Sequence, residues 1–170
     1  MSRIELRTFS EAEYHAFFRL YEPDPAMDPS PFRYNREQIA RSYIYNHGGY
    51  RENYEHFGIF QDNVPVGSFQ LKRIDRKLRN CEFGIILQND RVKNKGIGTE
   101  AIRQAMEIAR DKYGMETLTG DTSGRNNRMI HVFEKLGFQL VERVPNAFVL
   151  FEGSYDDRLV YRIRLTEEKI

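Results

Sequence analysis

The stretch from Cys81 to Tyr113 constrains the fold more than any other part of the sequence. It begins with a short apolar run rich in β-branched and aromatic residues (81–87), which predicts a strand. A polar, glycine-punctuated segment (88–99) follows. Apolar residues then recur at helical spacing, at Ala101, Ile102, Ala105, Ile108 and Ala109. A strand, a glycine loop and a helix in this order indicate a place where backbone amides can hold a phosphate group.

The glycine loop alone has two interpretations, a phosphate site and a plain tight turn. Two known phosphate motifs do not fit it. In the P-loop a lysine follows the last glycine, whereas Gly98 is followed by Thr99 and Glu100. The dinucleotide motif places its first glycine in a tight turn directly after a strand, and no such turn precedes Gly96. The loop therefore needs support from elsewhere in the chain.

A second motif lies downstream, where Asn126 precedes Phe-Glu-Lys-Leu-Gly-Phe at 133–138. Together with Lys93-x-x-Gly96-x-Gly98 it resembles the signature of the GNAT superfamily of N-acetyltransferases. That signature is Arg/Gln-x-x-Gly-x-Gly/Ala, followed by Asn and Tyr-Glu-Lys-Leu-Gly-Phe. The resemblance is strong over 81–138 and loose over most of the rest. The segment 153–163 resembles the ribosomal-protein N-terminal and polyamine acetyltransferase branches.

Length and composition bound the domain count and the partners. A chain of 170 residues predicts one domain, 1–170. Its 26 basic and 25 acidic residues give a net charge of +1, which provides no general attraction to nucleic acid or to a membrane surface. One cysteine excludes an internal disulfide and fits a reducing compartment. No apolar leader or membrane-spanning run is evident, so we expect a cytoplasmic protein. We expect it to be a monomer or a homodimer.

The order of the predicted elements indicates the fold class. Strands are predicted over 3–9, 55–60, 64–72, 81–87, 118–122, 138–144 and 159–165. Helices are predicted after Ser10, after Asn35, after the glycine loop and over 127–136. This order gives an α/β fold with a mixed, largely antiparallel central sheet flanked by helices, and with parallel pairing beside the glycine loop. The resemblance implies a GNAT-like fold in which two splayed central strands bind acetyl-CoA.

The resemblance implies that acetyl-CoA is the cosubstrate and that the amides of the glycine loop hold its pyrophosphate. This role falls on Lys93, Asn94, Lys95, Gly96, Ile97, Gly98 and Thr99. Lys93 departs from the usual Arg or Gln, but the backbone does most of the holding. The end of the preceding strand, at Ile86, Leu87 and Gln88, is expected to bind the pantetheine arm through its backbone. Asn126 is expected to contact the same arm, to cap the following helix, or to do both.

Two catalytic roles follow from the reaction that the family performs, attack of a primary amine on a thioester. A lysine-type amine is largely protonated at pH 7, so a general base is useful, and Glu82 is the candidate. Its structural alternative is a solvated or salt-bridged strand residue. Cys81 and Glu82 point to opposite faces of the strand. The backbone N–H of Ile86 is expected to stabilise the oxyanion, a contribution of about 3–4 kcal/mol.

Phe133 marks the main departure from the family pattern. Much of the family has at this position a Tyr that protonates the leaving thiolate, and phenylalanine has no proton to give. We expect Phe133 to contact the cofactor while Tyr155 or a water supplies the proton. The alternative is a non-catalytic acetyl-CoA-binding module. Four scattered histidines and one cysteine lack metal-binding spacing, so no metal is expected.

The acceptor amine, a protein N-terminus or a small molecule, is expected to bind between the segments 22–50 and 145–157. The segment 145–157 is predicted to be loop-like, and so is 22–50 apart from the helix predicted after Asn35. The predicted substrate-binding residues are Asp156, Asp157, Tyr155 and Tyr34, since acidic groups beside aromatic rings suit an ammonium. The alternative is that these are ordinary turn residues. Nearby arginines dilute the negative charge, so a strongly polycationic acceptor is not favoured.

Overall fold

The computed structural model describes residues 2–24, 31–150 and 153–166. Over these residues the chain forms seven strands, four α-helices and one short 3₁₀ helix (Asp90–Val92). The strands are β1 (Ile4–Arg7), β2 (Glu55–Gln61), β3 (Val64–Asp75), β4 (Asn80–Leu87), β5 (Thr117–Ser123), β6 (Gln139–Val149) and β7 (Tyr155–Arg164). The α-helices are α1 (Glu11–Arg19), α2 (Arg36–His47), α3 (Ile97–Asp111) and α4 (Asn127–Leu136). The predicted element order is confirmed.

The strands make one mixed sheet in the order β1-β2-β3-β4-β5-β7-β6. Neighbouring strands are antiparallel, except that β4 and β5 are parallel. A parallel pair needs a crossover, and α3 supplies it between β4 and β5. The predicted fold class is therefore confirmed, including the position of the parallel pair.

Capping residues fix the predicted ends of three helices. Ser10 begins α1 with a reciprocal capping box, in which its side chain accepts from the Glu13 amide. The Asn35 side chain accepts from the Gln38 amide at the start of α2. Gly137 ends α4 with φ near +90°, a conformation that costs other residues energy. Each side-chain cap contributes about 1 kcal/mol to the stability of its helix.

Two apolar clusters hold helices on the two faces of the sheet. On one face α3 packs closely because Ala101, Ala105 and Ala109 are fully buried and small. On the other face α1 and α2 enclose a smaller cluster of Phe9, Tyr14, Phe17, Ile39 and Phe60. Full burial of such a side chain contributes roughly 1.5–3 kcal/mol. No helix among the described residues is long and apolar enough to cross a membrane.

The last two strands are longer than predicted. β6 continues to Val149 and β7 begins at Tyr155, so most described residues of 145–157 belong to strands rather than to a loop. β6 lies at the edge of the sheet, and Pro145 falls between its paired residues Val144 and Phe148, where a missing N–H interrupts no register pair. The register shifts between Val144 and Phe148, and Asn146 there has φ near +54°. The turn-forming residues thus make a bulge within a strand.

Candidate active site

A cleft opens where the two parallel strands separate. β4 and β5 pair only from Asn80↔Thr117 to Glu82↔Thr119. β4 nevertheless continues to Leu87 and β5 to Ser123, and this part of β5 remains paired with β7. Backbone groups on the facing edges therefore lack a ladder partner and need water or a ligand. The splayed strands implied by the resemblance are present in the structure.

The register of β4 against β3 decides which backbone groups face the cleft. The Gln88 N–H donates to the Val66 carbonyl at 2.9 Å, and the register is continuous back to Lys72↔Glu82. Antiparallel ladders alternate, so even-numbered residues of β4 bond to β3. The Ile86 carbonyl accordingly lies 3.1 Å from where a Cβ on Gly67 would stand. Ile85 and Leu87 therefore present their N–H and C=O groups to the cleft.

Two predicted backbone roles are wrong for this reason. The Ile86 N–H turns towards β3 and does not face the cleft, so it is not the oxyanion donor. The Gln88 N–H is already donated, and its carbonyl accepts from the Glu22 N–H at 2.8 Å. The Gln88 side chain is buried and donates to the Phe17 carbonyl at 2.9 Å, which ties β4 to α1. Leu87 keeps the orientation that its predicted role requires, and Ile85 joins it.

The glycine loop leaves the first amides of α3 without a side-chain cap. Gly96 is the N-cap, with φ near +77°, and within the described residues no side chain makes a capping hydrogen bond there. Apart from its sequence neighbours, no described residue has an atom within 4 Å of where a Cβ would stand on Gly96, and at Gly98 the Ile85 side chain lies 3.7 Å from that position. Room beside free amides at a helix N-terminus fits an anion. Asn94, Lys95 and Gly96 are exposed, whereas the Ile97 side chain is buried in the core.

Lys93 has a structural role for its side chain. The side chain is only 8% exposed, and its Nζ lies 3.2 Å from carboxylate oxygens of both Asp24 and Asp90. Arg128, in the first turn of α4, lies 3.9 Å from the same Asp24 carboxylate. Any contribution of Lys93 to a bound phosphate must therefore come from its backbone.

Glu82 stands in the last residue pair before the cleft opens. Its side chain is 25% exposed and forms an ion pair with Arg73 at 3.5 Å. Cys81 points to the opposite face, as predicted, and is fully buried. Burial raises the pKa of the Cys81 thiol to about 12, and the Glu82 carboxylate adds to the rise, so this thiol is unreactive at neutral pH. The structure thus gives Glu82 both a place at the cleft and a competing cation.

Asn126 caps the start of α4, and Phe133 lies within the helix. The Asn126 side chain is the N-cap, because its Oδ1 accepts from the Met129 amide at 3.2 Å. Its Nδ2 has no partner among the described residues and remains able to donate. Phe133 has no exposed surface and stacks on Tyr161, with ring centroids 4.4 Å apart. A contact between Phe133 and the cofactor stays a prediction.

The predicted acceptor residues fall into separate places. Asp156 accepts from the amides of Arg125 and Asp157, and Asp157 accepts from Arg143 and from the Asn146 amide. The Arg143 hydrogen bond holds the pKa of Asp157 below its usual value.

Tyr155 is exposed, whereas Tyr34 bonds to His15 at 2.8 Å. Tyr34 lines a different cavity, of about 620 Å³, between α1 and the 3₁₀ helix. The structure therefore does not bring Tyr34 together with Asp156 and Asp157 in that cavity. No group of three or more His, Cys, Asp or Glu residues within the described ranges is arranged to hold a metal ion.

The residues that surround Glu82 on its face of the sheet were not predicted from the sequence. Glu82 is paired in register with Lys72 and with Thr119, and Thr119 is paired with Arg162. Alternation along each strand assigns such residues to one face or the other. Only the register between distant strands shows which of them share a row, and no local pattern encodes that register.

Comparisons with known proteins identify the family of this chain. A family model described as an acetyltransferase (GNAT) domain matches residues 3–139. Over 117 residues the chain is 25% identical to spermidine N(1)-acetyltransferase of Escherichia coli (strain K12), covering 69% of this chain and 62% of that protein. Over 112 residues it is 32% identical to the probable N-acetyltransferase YjcK of Bacillus subtilis (strain 168), covering 64% and 60%. The chain thus spans less than two thirds of either relative's length.

Solved structures show the same fold. A probable acetyltransferase superposes with a TM-score of 0.81 at 17% identity, covering 95% of this chain and 92% of the other. The spermidine N-acetyltransferase from Vibrio cholerae in complex with CoA and spermine superposes with a TM-score of 0.76 at 17% identity, covering 95% of each chain. At these identities the likeness establishes the architecture alone.

Proposed function

Because the chain belongs to the GNAT family of acetyltransferases, we propose that it transfers an acetyl group from acetyl-CoA to a primary amine by direct attack in a ternary complex. The acceptor is a protein N-terminus or a small-molecule amine. One observation carries the proposal. The cleft between β4 and β5 has the uncapped amides of α3 beyond its open end and a carboxylate, Glu82, at its closed end.

The residues of the cleft suit the cosubstrate. The amides of Ile97, Gly98 and Thr99 are free to hold a pyrophosphate, and the space beside Gly96 admits it. The backbone groups of Ile85 and Leu87 are available to the pantetheine arm, as is the Nδ2 of Asn126. When bound, acetyl-CoA supplies an activated acetyl group on a thiol that leaves readily.

Glu82 is the group that takes the proton from the attacking amine. A general base in this position contributes roughly a hundredfold to ten-thousandfold. The ion pair with Arg73 competes for the same carboxylate, and Arg73 is 77% exposed, so its side chain can move away at little cost. Phe133 supplies no proton to the leaving thiolate, and Tyr155 or a water is left for that role.

The acceptor assignments of Asp156, Asp157, Tyr155 and Tyr34 stay predictions. If the two carboxylates receive the ammonium, changing both to Asn raises KM for the best amine several-fold and leaves KM for acetyl-CoA unchanged. Their existing hydrogen bonds to backbone amides argue for a partly structural role. Circular dichroism and thermal unfolding of the double variant separate the two contributions.

A second function, a non-catalytic acetyl-CoA-binding module, is favoured by one observation, the loss of the Tyr at Phe133. Release of free thiol from acetyl-CoA with a panel of amines tests both functions. The proposed enzyme releases thiol with at least one amine. A protein that coenzyme A stabilises in a thermal shift, but that acetylates no amine in the panel, is a binding module.

A further inference from the structure

A single row of side chains crosses the sheet at the closed end of the cleft. Lys72 on β3 is the register partner of Glu82 on β4, Glu82 is the partner of Thr119 on β5, and Thr119 is the partner of Arg162 on β7. Register partners share a face of the sheet, and neighbouring strands lie about 4.8 Å apart. The base therefore has a cation one strand away on one side and another about 10 Å away on the other.

Two cations of this row lack an acidic partner. Glu82 is paired with Arg73, and the nearby Arg158 is hydrogen-bonded to Asp121. Among the side chains that the structure describes, Arg162 donates to the Thr119 hydroxyl alone, at 3.3 Å. Neither Lys72 nor Arg162 forms an ion pair with any described residue. The surroundings of the base thus carry two positive charges that no described carboxylate neutralises.

The row is accessible from the β7 side. On this face α1 packs against β3 and α2 against β2. The side chain of Arg162 is exposed, and those of Lys72 and Glu82 are partly exposed. An acceptor can therefore approach Glu82 along the sheet with Arg162 beside it.

We propose that the acceptor is an amine that also carries a carboxylate a few bonds away. Its amine lies at Glu82 while its carboxylate pairs with Arg162, whose planar guanidinium suits a carboxylate. A polyamine would instead bring further positive charges beside Lys72 and Arg162. At about 4 Å such a repulsion is about 1 kcal/mol in water and about 4 kcal/mol near a protein surface. The inference rests on the proposed function and specifies its substrate class.

Two sources supply this chemistry, a free amino acid and a peptide N-terminus with an acidic side chain. C-terminally amidated dipeptides vary the charge while keeping one kind of α-amine, in the Ala-Glu, Ala-Gln and Ala-Lys amides. The rate compared is acetylation of the α-amine, because the Ala-Lys amide also carries a primary amine on its side chain. We expect kcat/KM to fall in that order, by roughly tenfold at each step, which corresponds to about 1.4 kcal/mol. Free glutamate and spermidine complete the panel. Faster acetylation of glutamate than of the Ala-Glu amide identifies the small molecule, and the reverse identifies the peptide.

Charge reversal at one position tests whether the row causes the preference. Arg162→Glu should invert the order, so that the Ala-Lys amide becomes the better acceptor. Arg164→Glu is the matched control, since Arg164 lies on the same strand and face but is the partner of Thr117, farther from Glu82. It should keep the original order. Arg162→Gln, which should abolish the preference, serves if the reversal impairs folding.

Four results would overturn the proposal. Equal kcat/KM for the Glu and Lys dipeptides overturns it, as does spermidine emerging as the best acceptor. An unchanged order in both Arg162 variants, with coenzyme A still stabilising them, also overturns it. If the wild type binds coenzyme A but acetylates no member of the panel, the proposed function itself fails, and this inference fails with it.

Discussion

The two ends of the cleft are built in different ways. At the proposed cofactor end, the relevant groups are backbone amides of one continuous segment, Lys93 to Thr99, and glycines leave space beside them. At the proposed acceptor end, the relevant groups are side chains from four strands, which the register places in one row. A site made from one segment tolerates change in the rest of the sheet. A site made from a row depends on every strand that contributes to it, and its specificity can change one side chain at a time.

The sharpest test of the acceptor end is Glu82→Gln. The amide cannot accept the proton of the attacking amine, so kcat/KM should fall by roughly a hundredfold to ten-thousandfold, most at low pH. Binding of coenzyme A should be unaffected because it occurs at the other end. Glu116→Gln is the control, since Glu116 is exposed and pairs with Arg79. Rates unchanged from pH 6 to 9 would return Glu82 to a structural role as the partner of Arg73.

The cofactor end is tested by Gly96→Asp. A negative side chain in the space beside the free amides should weaken coenzyme A binding by about a hundredfold, or about 3 kcal/mol. Calorimetric titration gives the Kd, and a thermal shift gives the stabilisation. Gly49→Asp introduces the same residue at a φ near +80° with equally open surroundings, and so controls for backbone strain. Equal losses in both variants would mean that the loop is a plain turn.

The proposed contact of Asn126 with acetyl-CoA is tested by substitutions that keep the helix cap. Asn126→Ser and Asn126→Asp both accept from the Met129 amide but lack the Nδ2 donor. We expect KM for acetyl-CoA to rise about two- to tenfold, the effect of one hydrogen bond. The Tm should hold within a few degrees. A fall in Tm without a change in KM would show that the side chain serves only as a cap.

A buried histidine on β2, His56, should make the stability of the protein sensitive to acid. His56 is buried on β2, bonds to Ser68 at 2.7 Å, and has a pKa lowered to about 3, chiefly by burial and also by His47 and Arg51. A lowered histidine pKa contributes stability that is present above the unfolded value, near 6.5, and is lost as the pH falls below it. From pH 6.5 to 5 this amounts to at most about 2 kcal/mol. Tm measured against pH should flatten over this range in His56→Gln, and an unchanged slope would assign the acid sensitivity to other groups.

The contrast between features of a single segment and features that depend on strand register explains what could be predicted from the sequence. Helix ends followed from single residues, Ser10, Asn35 and Gly137, because capping is a local interaction. The glycine loop between β4 and α3 could be predicted for the same reason, because its glycines lie close together in the sequence. The Ile86 N–H was expected to face the cleft, but its direction depends on the register with β3, which the local sequence does not encode. The length of β6 was missed because Pro145 and Asn146 are typical turn residues, whereas here an edge strand accommodates them in a bulge.

Phe133 has a consequence for the pH dependence of turnover. Its ring packs against the rings of Phe83, Phe138 and Tyr161 and carries no hydroxyl that could give a proton to a leaving thiolate. A bell-shaped rate profile needs one group that must lose a proton and one that must keep it. With phenylalanine here, the profile should rise with pH as the base and the amine deprotonate, and then level off at a plateau. A descending limb would reveal the acid that has taken the place of the missing tyrosine.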